Sequence, residues 1–233
     1  MFDTNKFLSS SEITKRFTDD YFRMMIFGST GCGKSYWLTK TFFPIIMPKY
    51  DVVIVFTKEH NRIYYRNALE PFKKQFKLKT SIVTKDIPGN LKKIVAAQDR
   101  NKMKKHSKDG EILYKDNILL IYDDILDERL FKDRKFLDQF TSLRHQQFSV
   151  IVISQTINKE INTQMKANTQ FFVIFKLNHY KQSAELIKII EGCVGGINES
   201  EDYVKKKARS LYTNRCCTTK YGNLIVTDDS FMF

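Results

Sequence analysis

Cysteine is scarce: the 233 residues hold four, at positions 32, 193, 216 and 217, and none forms a C-x-x-C pair. A zinc site within one chain therefore lacks its usual ligand spacing. Cys216 and Cys217 are neighbours that could bridge only under strain, so all four read as free thiols of a reducing compartment. Four prolines and nine glycines are too few for a collagen-like or low-complexity chain. No run of 18 apolar residues occurs, so the sequence offers no membrane-spanning helix. The opening Met1-Phe2-Asp3-Thr4-Asn5-Lys6 lacks the basic and apolar regions of a signal peptide. The expectation is an intracellular-type globular protein. Acid is in the minority too: 26 Asp and Glu face 39 Lys and Arg, a net charge of +13. Such a balance favours a polyanionic partner.

What is present argues for a folded core. Apolar residues make up 42% of the chain, too many for a disordered tail. With no internal repeat and no Pro- or Ser-rich linker, residues 1–233 are expected to form a single domain. Short apolar runs at 23–27, 52–56, 118–122, 150–153 and 171–175 read as buried strands, and 81–84 as a short one. Helical patterns lie between them: 34–43 stopped or kinked by Pro44, 61–77 broken near Pro71, then 90–105, 135–145 and 182–191. Leu211-Tyr212 and Leu224-Ile225-Val226 suggest a terminal hairpin, and the polar stretch 98–110 an exposed insertion. Continuous apolar strands separated by helices indicate a mostly parallel sheet with helices on both faces, an α/β architecture.

Three motifs carry chemistry. Gly28-Ser29-Thr30-Gly31-Cys32-Gly33-Lys34-Ser35 fits the phosphate-binding loop G-x-x-x-x-G-K-[ST]. Its glycines let backbone N–H groups close on phosphate oxygens, Lys34 adds a point charge, and Ser35 offers a hydroxyl to Mg²⁺. About 90 residues on, the strand Ile118–Tyr122 ends in Asp123 and Asp124, a Walker B arrangement. Asp123 is the candidate Mg²⁺ ligand and Asp124 the candidate base for the attacking water. A third strand, Val150–Ile153, ends in Ser154-Gln155, and the Gln155 amide can sense phosphate or orient water. Arg144 precedes that strand, whose residues 149–154 span about 20 Å at ~3.3 Å per residue, so it lies at the opposite end from Gln155. It is either an arginine finger in a neighbour's site or a surface residue paired with Asp138 or Gln146. Lys102, Lys104, Lys105 and Lys108 are candidate contacts to nucleic-acid phosphates, with Lys205-Lys206-Lys207 as a weaker set.

These motifs, in this order and at this compact spacing, resemble the HerA–FtsK superfamily. The closest look is to poxvirus-type genome-packaging ATPases, found also in giant viruses and virophages. The stretch Arg-His-Gln-Gln-Phe-Ser-Val-Ile-Val-Ile-Ser-Gln, 144–155, is the discriminating part, and the resemblance covers about 20–177. It implies a RecA-like (ASCE-type) P-loop NTPase core in which the glutamine strand lies between the phosphate-loop strand and the Walker B strand. Residues 178–233 would add a C-terminal helix and the hairpin. It further implies ATP and Mg²⁺ as cofactors and a homo-oligomeric ring that moves double-stranded DNA. A capsid vertex or portal protein becomes the partner, and host cytoplasm, a viral factory or the virion the location. Asp124 stands where many relatives carry Glu. Two rival readings remain: a small-molecule phosphotransferase, whose clustered lid arginines are not evident, and a nucleotide-dependent assembly ATPase.

If the basic surface grips DNA phosphates, binding is sequence-independent and weakens with salt at a slope of about −0.9 per phosphate contacted. Replacing Lys102, Lys104, Lys105 and Lys108 by Ser reduces that slope in a fluorescence-anisotropy titration. An unchanged slope moves the contact elsewhere.

Overall fold

The computed structural model describes residues 10–100, 102–106, 112–114, 116–125, 140–157, 163–195, 199–219, 221–227 and 231–232. In chain order the strands are β1 (Arg23–Phe27), β2 (Val52–Thr57), β3 (Lys79–Val83), β4 (Lys102–His106), β5 (Ile112–Tyr114), β6 (Ile118–Asp123), β7 (Phe148–Ser154), β8 (Phe171–Phe175), β9 (Asn223–Thr227) and β10 (Phe231–Met232). Eight of them form one sheet in the order β10-β9-β8-β1-β7-β6-β2-β3, while β4 and β5 pair separately. The six strands from β8 to β3 run parallel, and β9 and β10 add antiparallel at one edge. β7 is hydrogen-bonded to β1 on one side and β6 on the other, the order that the resemblance implies.

Two cores follow from the period-2 alternation of these strands. On one face Met25, Phe56, Leu120, Tyr122, Val152 and Ile174 pack with Leu91, Leu186, Ile190 and Leu211. Those last four come from helices Ile87–Arg100, Tyr180–Val194 and Glu201–Tyr212. On the other face Met24, Ile26, Val55, Ile121, Ile153 and Val173 meet Leu38, Phe42, Tyr65 and Leu69. Because both faces are covered, the central strands read as unbroken apolar runs.

Four expectations are corrected. Helical backbone continues through Pro44 to Ile46, because a π-helical stretch, Trp37–Phe42, widens the ladder just ahead of the proline. Helix Arg62–Phe76 also runs through Pro71, which lies on its exposed side, so the Asn67 carbonyl left without its helical donor is on a solvent-facing residue. The expected 90–105 helix ends at Arg100, and the lysine-rich residues that follow form β4. Leu211 and Tyr212 close a helix rather than a hairpin, and Leu224–Val226 pair with β8. Of the expected 135–145 helix, 135–139 lie outside the described residues; 140–142 are helical and Leu143–Gln146 form a 3-10 turn. All four cysteines are free thiols. Among the described residues no helix is long and apolar enough to cross a membrane.

Arg23 anchors the start of β1 although it is charged and buried. Its guanidinium donates to the Phe140 carbonyl at 2.7 Å, the Thr141 carbonyl, and the Asn168 carbonyl at 3.5 Å, and it stands over the Phe140 ring. Arg23→Met would strand those carbonyls, so stability falls by about 2–4 kcal/mol in urea unfolding. A loss below about 0.5 kcal/mol would mean that water satisfies them.

Candidate functional site: a phosphate loop facing two strand-end carboxylates

β1 delivers the chain to Gly28 in a space with no room for a side chain. A Cβ there would lie 2.6 Å from both Cys32 Sγ and Phe175 Cβ. Gly31 and Gly33 take left-handed backbone, φ +77 and +97, which glycine adopts without steric cost. The loop is tied to the sheet by the Ser29 amide donating to the Lys176 carbonyl at 3.0 Å. Ser29 Oγ in turn accepts from the Asn178 amide at 2.8 Å. Lys34 folds back over the loop, its ammonium donating to the Gly28 carbonyl at 2.6 Å and the Ser29 carbonyl at 2.9 Å. Burial lowers its pKa, while Cys32 and the carboxylates of Asp123 and Asp124 work against that shift. Left-handed glycines beside one buried cation fit a seat for phosphate oxygens.

Opposite the loop, β6 ends in Asp123 and Asp124. Asp123 is only 5% exposed, and burial raises its carboxyl pKa. The Tyr65 hydroxyl opposes the rise, Asp124 adds to it, and Lys34 and Lys58 oppose it more weakly. Asn61 Nδ2 donates to Asp123 Oδ2 at 3.4 Å. Asp124 has left-handed backbone, φ 52, a conformation that Asp tolerates better than most residues. Its Oδ2 accepts from Lys58 Nζ at 3.0 Å and Gln155 Nε2 at 2.8 Å. The other end of the Gln155 amide, Oε1, accepts from Thr30 Oγ1 at 2.6 Å. Gln155 therefore bridges the loop and the carboxylate. The three motifs meet at the carboxyl edge of the sheet, where ligands of parallel α/β folds bind.

The candidates elsewhere are not brought to this edge. Arg144 lies in the 3-10 turn Leu143–Gln146, before β7 and at its opposite end from Gln155. Lys102, Lys104 and Lys105 fall on β4, and Lys108 lies outside the described residues. Three residues at the site belong to no sequence motif: Lys58, Asn61 and Tyr65. They stand just beyond β2, whose Thr57 is in register with Asp123. A polar residue shortly after an apolar strand was the one signal available for them, and it is a common one.

A strand order of this kind, with a glycine-rich loop after β1 and carboxylates after β6, defines a RecA-like phosphate-loop NTPase fold. A family model described as "Poxvirus A32 protein" matches residues 11–190, and the chain belongs to that family. The DNA packaging protein OPG160 of Vaccinia virus (strain Copenhagen) is 26% identical over 161 residues, 67% of this chain and 54% of that protein. The protein of the same name from Vaccinia virus (strain Western Reserve) matches equally. The chain thus spans about half the length of the curated relatives it matches. Among solved structures, B204, the DNA-packaging ATPase from Sulfolobus Turreted Icosahedral Virus, has a TM-score of 0.57 at 15% identity, covering 88% of this chain and 91% of that one. The genome packaging NTPase B204 of Sulfolobus turreted icosahedral virus 2, in complex with ATP-gammaS, has a TM-score of 0.56 at 14% identity, covering 91% and 95%. These likenesses support the fold.

The glycines separate two physical demands. Gly28→Ala forces Cys32 and Phe175 apart, so both thermal stability and binding of tripolyphosphate fall. Gly31→Ala has open space and meets only the left-handed backbone cost, about 1–2 kcal/mol. Equal losses in the two variants, measured by melting and titration calorimetry, would refute the packing argument for Gly28.

Proposed function

We propose that this chain is an ATP-driven motor that packages viral double-stranded DNA. The observation that carries the ATPase reading is the Gln155 bridge, which ties a phosphate loop at Thr30 to a strand-end carboxylate at Asp124. Membership of the A32 family and likeness to a Vaccinia DNA packaging protein support DNA as the substrate. The net charge of +13 agrees with a polyanion.

In this reading Gly28 to Ser35 hold the triphosphate. Lys34, now on the loop's own carbonyls, turns its ammonium to the β- and γ-phosphates. Asp123 and Ser35 are the residues that would hold Mg²⁺. A buried carboxylate whose pKa is raised by burial, with Lys58 committed to its neighbour, fits a divalent cation better than it fits isolation. When bound, the ion supplies charge to polarise phosphate oxygens. Asp124 accepts the proton of the attacking water, and Gln155 orients that water and relays the state of the phosphates to the loop. To act on water, Asp124 exchanges its Lys58 contact for that water.

Residues 1–233 act as one domain, and subunits assemble into a homo-oligomeric ring. Arg144, at the wrong end of β7 for its own loop, serves a neighbour's site. A capsid vertex or portal protein receives the motor, in host cytoplasm or a viral factory. Lys102, Lys104, Lys105 and Lys108 contribute to the DNA grip.

The test is ATP hydrolysis with and without double-stranded DNA. DNA stimulates turnover, and Lys34→Ala abolishes it. Asp124→Asn keeps ATP binding but loses about 10²- to 10⁴-fold in rate, because an amide cannot take the proton. Full turnover in Asp124→Asn removes Asp124 from the chemistry. Hydrolysis indifferent to DNA but stimulated by a small phosphate acceptor would make the chain a phosphotransferase instead.

A further inference from the structure

We propose that Tyr65 is a positioning residue of this site: its buried hydroxyl fixes the Asp123 carboxylate, beside Ser35, for a divalent cation. The inference rests on reading Asp123 and Ser35 as the residues that would hold Mg²⁺.

Val53, Val55, Leu119 and Ile121 point into the core that also contains Tyr65. Side chains two residues further along a strand share its face, so Thr57 and Asp123, paired in register, turn the same way. Tyr65 is wholly buried. Among the described residues neither its hydroxyl nor Thr57 Oγ1 has a well-aligned hydrogen-bond partner.

The first turn of helix Arg62–Phe76 lies between the two halves of the site. Just ahead of it, Asn61 Nδ2 donates to Asp123 Oδ2 at 3.4 Å. Toward the loop, the Tyr64 hydroxyl lies 2.8 Å from Thr39 Oγ1, which donates to the Ser35 carbonyl at 2.8 Å. Tyr65 comes one helical turn after Asn61 and next to Tyr64, so it stands between these two attachments. Its hydroxyl faces the Asp123 carboxylate and the Ser35 hydroxyl, close enough for each to act on it.

A buried hydroxyl without a partner is costly, and phenylalanine fills the same space without that cost. The hydroxyl suits a task at Asp123. Asp124 is paired with a cation, Lys58, whereas Asp123 is approached by two neutral donors, the Asn61 amide and the Tyr65 phenol. Neutral donors set a carboxylate's orientation without cancelling its charge, and that charge is left for a metal ion.

The experiment uses the full chain with the non-hydrolysable nucleotide AMPPNP. Mn²⁺ is the probe, an ion that shares the oxygen ligands of Mg²⁺, and its free fraction is read by electron paramagnetic resonance. In Tyr65→Phe, Mn²⁺ affinity in the presence of AMPPNP falls about 10- to 100-fold, the range for groups that orient metal ligands. AMPPNP affinity in EDTA changes less than about twofold by calorimetry, because the phosphate loop meets the metal-free nucleotide. The melting temperature does not fall. Asn61→Ala gives a smaller loss of the same metal-selective kind. Tyr50→Phe removes another buried, unpartnered hydroxyl, ahead of β2 at its opposite end, and changes none of these readings. Asp123→Asn lowers Mn²⁺ affinity by itself, and adding Tyr65→Phe to it then costs less than about twofold more, because Tyr65 acts through Asp123. Unchanged Mn²⁺ affinity in Tyr65→Phe overturns the proposal. So does a matching loss of metal-free AMPPNP binding, which marks Tyr65 as a structural prop, and so does a fully additive loss in the double variant. If Asp123→Asn leaves Mn²⁺ affinity intact, the assignment of Asp123 itself fails, and the role of Tyr65 with it.

Discussion

Two successive carbonyls at the end of β7 hold the site together. The Ile153 carbonyl accepts from the Asp124 amide at 3.1 Å, and the Ser154 carbonyl accepts from the Gly28 amide at 3.3 Å. Loop and carboxylate are therefore spaced by the backbone of the strand between them rather than by their own side chains. Backbone distances in a sheet are set by the hydrogen-bonding ladder, about 4.7–4.9 Å per strand, and are stiffer than side-chain contacts. Gln155, one residue further on, then spans the same gap with its amide. The apolar layers above and below β7 keep water from competing with these bonds.

Charge within the site is organised on that frame. Two lysines, Lys34 and Lys58, face two carboxylates, Asp123 and Asp124, so these four charges balance in number. Each lysine has a local occupation: Lys34 on loop carbonyls, Lys58 on Asp124. In the proposed function a triphosphate would compete with these carbonyls for Lys34, and carbonyls are the weaker acceptors for an ammonium. Lys58 is exposed, so its pairing with Asp124 is worth at most about 1 kcal/mol and is readily exchanged.

Much of this was legible in the residues. The apolar runs mark the parallel strands because strands buried on both faces tolerate no polar alternation, and Arg23–Phe27 and Phe171–Phe175 coincide with β1 and β8. The phosphate loop, the two aspartates and Gln155 were visible because each follows such a run. Lys58, Asn61 and Tyr65 were not, since their place depends on β2 lying beside β6, a pairing of residues more than 60 positions apart. The prolines misled because propensity describes an isolated helix, whereas solvent at Pro71 and a widened ladder before Pro44 remove the cost. The lysines after Arg100 carry no periodicity that distinguishes helix from strand.

The left-handed backbone at Asp124 bears on how such a site can drift over generations. Asp and Asn enter that region at little cost, while longer side chains do so less readily. An exchange of Asp124 for Glu would lengthen the acid by one methylene and also ask the peptide at the end of β6 to rotate. Its amide would then leave the Ile153 carbonyl. The shorter acid suits the left-handed turn that carries it. A change from one acid to the other would thus meet a backbone cost before any difference in chemistry.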